Sequence, residues 1–285
     1  MANVRGRIQF MGGNMKIRIG LRSTVVRASV IGVLIATTGV VPLSSVGAAT
    51  NAYYFGSGYD ASYPQGTSTP PTGNFAIIGV DHGRPFTTNQ YAGTQWGFAI
   101  TATNGSPSLY FNTGYALAYA QSDTGSCTTA SASYNPVASG HTLSELQAAW
   151  AIGCSEASWA VSLEPAGAPT MWWADIETGN SWSKNPALNQ ATILGMANEI
   201  ETSTSVPFGI YSTPSMWTSI TGTGFVVPGV AGDWQAALPK GCPSTAVGFT
   251  LTGTASTSSY APLLVAQTGT TTVSGGTKYD VDAAC

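Results

Sequence analysis

Met171-Trp-Trp-Ala-Asp-Ile-Glu177 is an apolar run that closes on two carboxylates. A strand with apolar side chains at successive positions is buried on both faces, as happens in a parallel sheet covered by helices. Runs of the same kind recur at Phe75-Ala-Ile-Ile-Gly-Val80, Ser108-Leu-Tyr-Phe111, Phe208-Gly-Ile-Tyr211 and Leu263-Leu-Val-Ala266. Weaker candidates surround Tyr59, Trp234 and Tyr279, which brings the count to eight. Two helices are well signalled between them. Thr142 with Glu145 forms a capping box ahead of Leu146, Trp150, Trp159 and Leu163. Asn185-Pro186 supplies an N-cap and a first-turn proline for a helix through Ile193, Met196 and Ile200. Strand, helix, strand in series predicts an α/β fold, and eight strands predict a single closed β/α barrel of the TIM type. Thr67–Gly73 reads as a proline-bearing loop and Thr250–Tyr260 as a loop rich in Thr and Ser; no internal repeat is visible.

Six of the ten basic residues (Arg5, Arg7, Lys16, Arg18, Arg22, Arg27) fall within residues 1–48, which contain no acid and lead into the apolar run Ala28–Val41. A positive segment, a short apolar segment and the small-residue site Val46-Gly47-Ala48 predict a secretory signal peptide over 1–48. The run falls short of the roughly 20 residues of a spanning helix, and Pro42 closes it. Residues 49–285 then form the working domain, a length that suits one large core. That domain holds four basic residues (Arg84, Lys184, Lys240, Lys278) against all thirteen acids, a balance of −9. Nucleic acid and anionic membrane surfaces both reward basic patches, so neither is an expected partner. The four cysteines, Cys127, Cys154, Cys242 and Cys285, are widely spaced with no C-x-x-C pair. In an oxidising compartment they predict two disulfides rather than a zinc site. Spacing does not settle the pairing, although Cys127 with Cys154 and Cys242 with Cys285 makes the shortest loops.

The strand period of two puts Trp173, Asp175 and Glu177 on one face. Two carboxylates at the end of a barrel strand stand where barrel enzymes keep their active sites. Acetal hydrolysis needs such a pair, one carboxyl protonated to donate to the leaving oxygen and one ionised to stabilise the cationic sugar. The spacing alone is weak, because Glu199/Glu201 and Asp280/Asp282 share it; the former reads as a solvated helix end. Other chemistries are poorly supplied. The only histidines are His82 and His141, no G-x-S-x-G surrounds a serine, and there is no phosphate-binding glycine loop or dinucleotide fingerprint. His82 follows a strand and is a candidate for lining the site. Aromatic faces stack on sugar rings, and Trp173 and Trp182 lie near the acidic pair. With Tyr211 and Gln267 they complete the substrate-binding candidates.

Four segments, Gly58-Tyr-Asp-Ala-Ser-Tyr-Pro-Gln65, Trp172 to Trp182, Phe208 to Trp217 and Tyr279 to Cys285, taken in that order, resemble the family 25 glycoside hydrolases, the Chalaropsis-type lysozymes. They are closer still to a group of secreted actinobacterial proteins with a related barrel. The resemblance implies that Asp60, Asp175, Glu177 and Asp280 surround a bond between peptidoglycan sugars. Glu177 would be the proton donor, Asp175 the stabiliser of positive charge, and Asp60 and Asp280 would position substrate, with no metal or other cofactor. Gly66 and Gln90 stand where that group often carries a pair of cysteines, and Asp81 with His82 alters the wall beside the acids. The expectation is a secreted, monomeric glycosidase acting on cell-wall glycan. The competing expectation is a barrel that binds glycan at the cell surface without cutting it, since fold does not dictate function.

Overall fold

The computed structural model describes residues 51–285 apart from 104, 106, 137–139 and 255, so the expected signal peptide lies outside the described residues. The strands are β1 Ser57–Ala61, β2 Phe75–Gly79, β3 Ser108–Asn112, β4 Trp172–Asp175, β5 Phe208–Ser212, β6 Val230–Gln235, β7 Val247–Thr252, β8 Ser259–Thr272 and β9 Lys278–Ala284. The α-helices are α1 Ala92–Ala102, α2 Gly125–Ser131, α3 Leu143–Ser162, α4 Pro186–Ser203 and α5 Pro214–Thr221. Each strand pairs with the next from β1 to β6, β6 pairs with β8, and β9 closes the ring between β8 and β1. All eight runs expected from the sequence are therefore staves of one barrel.

The departure from a regular β/α barrel is at the closing edge. β9 runs antiparallel to both β8 and β1, and the α-helices follow only β2 to β5. An antiparallel partner needs no crossover helix, so the last strands join by direct turns. β7 was not expected; it covers part of the segment read as a Thr/Ser loop. It pairs antiparallel with the start of β8, and the carboxylate of Asp233 on β6 accepts hydrogen bonds from the Phe249 and Thr250 N–H groups at 2.6 and 2.8 Å. A strand whose partners include a side chain from another stave leaves little hydrophobic signal of its own.

Side chains alternate between two layers. Outward, Ile78, Leu109, Phe111, Trp172, Ala174, Ile176 and Ile210 pack under the helices against Trp96, Ile193, Met196 and Ile200. Inward, Phe75, Ile77, Met171, Trp173, Trp234 and Leu264 fill the barrel. Inward positions alternate large with small, as a closed tube requires. A Cβ on Gly58 would lie 2.6 Å from the Phe75 ring, and one on Gly209 would collide with the Trp173 indole. Trp173 is wholly buried in this interior layer, with its indole N–H donating to the Tyr54 hydroxyl at 2.9 Å. Its expected contact with a ligand is thereby corrected: the indole is part of the plug below the mouth, one layer too deep to meet a sugar.

Both expected helix starts form. Thr142 and Glu145 make the reciprocal capping box, and the Asn185 side chain accepts from the Ala187 N–H ahead of α4. Leu146 and Trp150 are buried while Trp159 is 41% exposed, its indole donating to the Thr87 carbonyl. Disulfides join Cys127 to Cys154, tying α2 to α3, and Cys242 to Cys285. Closing loops of this size contributes about 3–4 kcal/mol each in the chain-entropy account. α3 and α4 approach backbone to backbone at Gly153 and Gly195, where a Cβ would strike the Thr192 and Trp150 carbonyls. Gly195→Ala is therefore expected to lower stability despite alanine's better helix propensity, by about 1–3 kcal/mol as for other overpacking changes. A fall in the urea midpoint checks this, and an unchanged or raised midpoint contradicts the close packing.

Candidate active site

The mouth at the C-terminal ends of the parallel strands collects the acids. Asp60 is the penultimate residue of β1 and pairs in register with Asp280 of the antiparallel β9, so the two project from adjacent staves. Asp175 ends β4, and Glu177 follows two residues later on the same face. Asp60 and Asp175 are almost fully buried, whereas Glu177 and Asp280 are half-buried. The structure thus brings together all four acids expected from the sequence.

The two buried acids, Asp175 and Asp60, are held by neutral hydrogen bonds instead of counter-charge. The Asn112 carboxamide donates to Asp175 Oδ2 at 2.6 Å, while the buried Oδ1 has no partner. Gln267 Nε2 donates to Asp60 Oδ2 at 3.2 Å, and its Oε1 accepts from the Tyr211 hydroxyl at 3.1 Å. Two expected substrate-binding residues, Tyr211 and Gln267, therefore stand at the mouth in one chain of hydrogen bonds ending on Asp60. All four cations of the domain are exposed, and the one ion pair among the described residues, His141 with Glu145, lies elsewhere.

Burial without compensation favours the protonated forms. It pushes Asp60 up to about 7, with the Asp280 charge adding to it and the Gln267 bond opposing it. Asp175 is raised well above the usual carboxylate range, first by burial and then by the charges of Glu177, Asp81 and Asp60. Glu177 is raised by burial and then by Asp280, and Asp280 by burial. Asp60, Asp175 and Glu177 lie close enough for the charge on one to raise its neighbours, so their titrations are linked.

A supporting ring lies behind them. Asp81, just beyond β2, accepts from the backbone N–H of Asn112 at 2.6 Å and of Gly83 at 3.1 Å, and burial pushes it up to about 7. It thus orients the residue that holds Asp175. Glu156 of α3, buried, accepts from the Gly114 N–H at 3.3 Å, just past β3, and burial raises it well above the usual range. Asn180 donates to the carbonyls of Thr113 and Asp175, and Trp182 donates to the Glu177 carbonyl at 2.8 Å. Trp182 thus fixes the turn that presents Glu177. His82 is exposed, its ring 3.7 Å from that of Tyr63. Asn112 and Glu156 escaped the sequence reading. The signal for Asn112 was a polar residue ending an apolar strand, and for Glu156 an acid on the apolar face of a helix.

No protein-family model matches the chain, and no curated protein matches it. Among solved structures it is similar to the CTP1L endolysin, at 12% identity over 81% of this chain and 67% of that one, with a TM-score of 0.46. It is similar also to the bacterial lysozyme from Streptomyces coelicolor, at 14% identity over 81% of this chain and 92% of that one, with a TM-score of 0.47. At that distance the chemistry has to be read from this chain's own side chains.

The raised acids set the response of stability to pH. Asp60, Asp81 and Asp233 move from 3.8 to about 7 on folding, so the folded state holds protons that the unfolded chain releases. Their contribution is fully present below about pH 4 and is lost as pH climbs through about 7. At about 1.4 kcal/mol per unit, the melting temperature is expected to be higher at pH 5 than at pH 8 by at least about 5 °C. Calorimetry at the two pH values checks this, and equal or reversed melting temperatures would contradict the protonated mouth.

Proposed function

We propose that the protein is an exported glycoside hydrolase that cleaves cell-wall glycan, with peptidoglycan as substrate and Glu177 as general acid. One observation carries the reading: Asp175 and Glu177 leave the same strand end with different exposure, in a mouth shared with Asp60 and Asp280 that no cation faces. Two neighbouring carboxyls in poorly solvated surroundings retain a proton between them near neutral pH. That is the protonation state from which acid-assisted cleavage of an acetal starts.

In this reading the half-exposed Glu177 donates its proton to the glycosidic oxygen. Asp175, deeper and fixed by Asn112, stabilises the developing positive charge or the acetamido group of the substrate when it carries the anion of the pair. Asp60 and Asp280 receive sugar hydroxyls, and the Tyr211–Gln267 chain holds Asp60 in place. The order of the four resembling segments along the chain supports peptidoglycan as the glycan, and the two disulfides fit an oxidising destination reached through the signal at residues 1–48. The protein acts as a monomer, and no step calls for a metal or a nucleic acid.

Glu177→Gln keeps the shape and removes the transferable proton. It is expected to reduce the release of reducing ends from peptidoglycan by about 10² to 10⁴-fold while leaving the urea midpoint within error. Undiminished release in the variant would remove Glu177 from the chemistry. Binding of wall fragments with no turnover by either protein would favour the non-cleaving barrel.

A further inference from the structure

Asp282 is wholly buried on β9, one inward position below Asp280, and the four-acid reading gives it no task. It lies in register with Gly58 of β1 on one side and Gln267 of β8 on the other. The indole N–H of Trp234 donates to its Oδ1 at 2.9 Å. Its other oxygen, Oδ2, receives no hydrogen bond from any donor. Asp60 is two residues from Gly58, the register partner of Asp282, on the inward face of the adjacent stave, and the two carboxyls interact side chain to side chain. Two carboxylates cannot bond each other when both are ionised, because neither has a hydrogen to give; with one proton between them the contact becomes a strong O–H···O⁻ bond. The indole bond marks Oδ1 as the carbonyl oxygen, which leaves Oδ2 as the hydroxyl.

We infer that Asp282 is a positioning residue: held neutral in the barrel wall between Trp234 and Asp60, it donates its hydroxyl to Asp60, favours that acid's ionised form and aims it at the mouth. This role rests on the proposed hydrolase, but the pairing itself does not. The titratable groups facing Asp282 are Asp60 on β1, Asp280 on its own strand and the Tyr54 hydroxyl, with no cation among them. The two acids among them disfavour a negative charge on Asp282. Burial raises it well above the usual range, and the Asp60 bond raises it further while lowering Asp60. Asp282 is the deeper of the two, wholly buried in the wall, so the first charge on the pair falls to Asp60, the acid nearer the substrate. Asparagine at 282 would offer the same donor and the same acceptor without a proton to lose.

The test is a carboxyl ¹³C NMR titration of aspartate-labelled protein, with the Asp282 signal assigned by its absence in Asp282→Asn. The Asp282 signal is expected to stay at the protonated value from about pH 4 to pH 7, where an ordinary aspartate has already titrated near 3.9. In Asp282→Val the Asp60 midpoint should rise by about a unit or more, and glycan cleavage near neutral pH should fall about tenfold or more with its acid limb moved upward. Asp282→Asn should restore the Asp60 midpoint, the acid limb and most of the rate. An Asp282 signal that titrates near 4, or an Asp60 midpoint unmoved by the valine change, overturns the inference. If Asp282→Val does not fold, the wild-type titration decides the pairing. If the pairing holds while the wild type releases no reducing ends, the failure lies with the hydrolase reading, and if the variants cleave like the wild type, the positioning role is wrong.

Discussion

The mouth of this barrel depends on a desolvation that no positive charge offsets. Six acids, Asp60, Asp81, Asp175, Glu177, Asp280 and Asp282, gather at or just below the strand ends, while the four cations of the domain stay in solvent. Removing a carboxylate from water is costly unless it is paired, and the alternative is to keep the proton. Asn112, Gln267, Trp234 and the backbone of Gly83 and Asn112 supply the hydrogen bonds that make such groups tolerable. The result is a site rich in carboxyls with fewer charges than its composition suggests. Proton donation to a sugar oxygen uses that surplus of held protons.

The fold prepares this environment through its interior. Trp173, Trp234, Phe75 and Leu264 close the tube beneath the acids, and the inward glycines at 58, 209 and 232 leave room for Phe75, Trp173 and Leu264 respectively. The plug keeps water from reaching the carboxyls from below, so the acids are solvated only from the mouth. The antiparallel β9 matters as much. Because it runs against β1, its Asp280 and Asp282 fall at two depths of the same wall, one facing substrate and one facing Asp60. A parallel closing strand would reverse that order, putting Asp280 in the wall and Asp282 at the mouth.

Much of this was legible in the sequence where local chemistry decides the outcome. The run before Asp175 reads as a doubly buried strand, and Thr142 with Glu145 and Asn185 with Pro186 mark helix starts by their own capping chemistry. Asp175 and Glu177 were legible from the strand period, whereas Asp60 and Asp280 were expected only from the resemblance to the family 25 glycoside hydrolases. Depth within the barrel was not. Trp173 shares the face of Asp175, but whether a side chain plugs the tube or lines its mouth depends on the stagger of neighbouring strands. The same holds for Asn112, which matters only because β3 sets it beside Asp175, and for Asp282, whose partner on β1 is more than two hundred residues away. β7 was hidden because part of its pairing is with the Asp233 side chain.

The central claim is geometric: a glycan lies across the mouth with its scissile oxygen at Glu177. A crystal structure of Glu177→Gln bound to a peptidoglycan tetrasaccharide tests it most directly. The account predicts the bridging oxygen about 2.6–3.2 Å from the residue 177 carboxamide, with the anomeric carbon over Asp175. A glycan seated elsewhere on the molecule, or lying across the mouth with no glycosidic oxygen near residue 177, would contradict it.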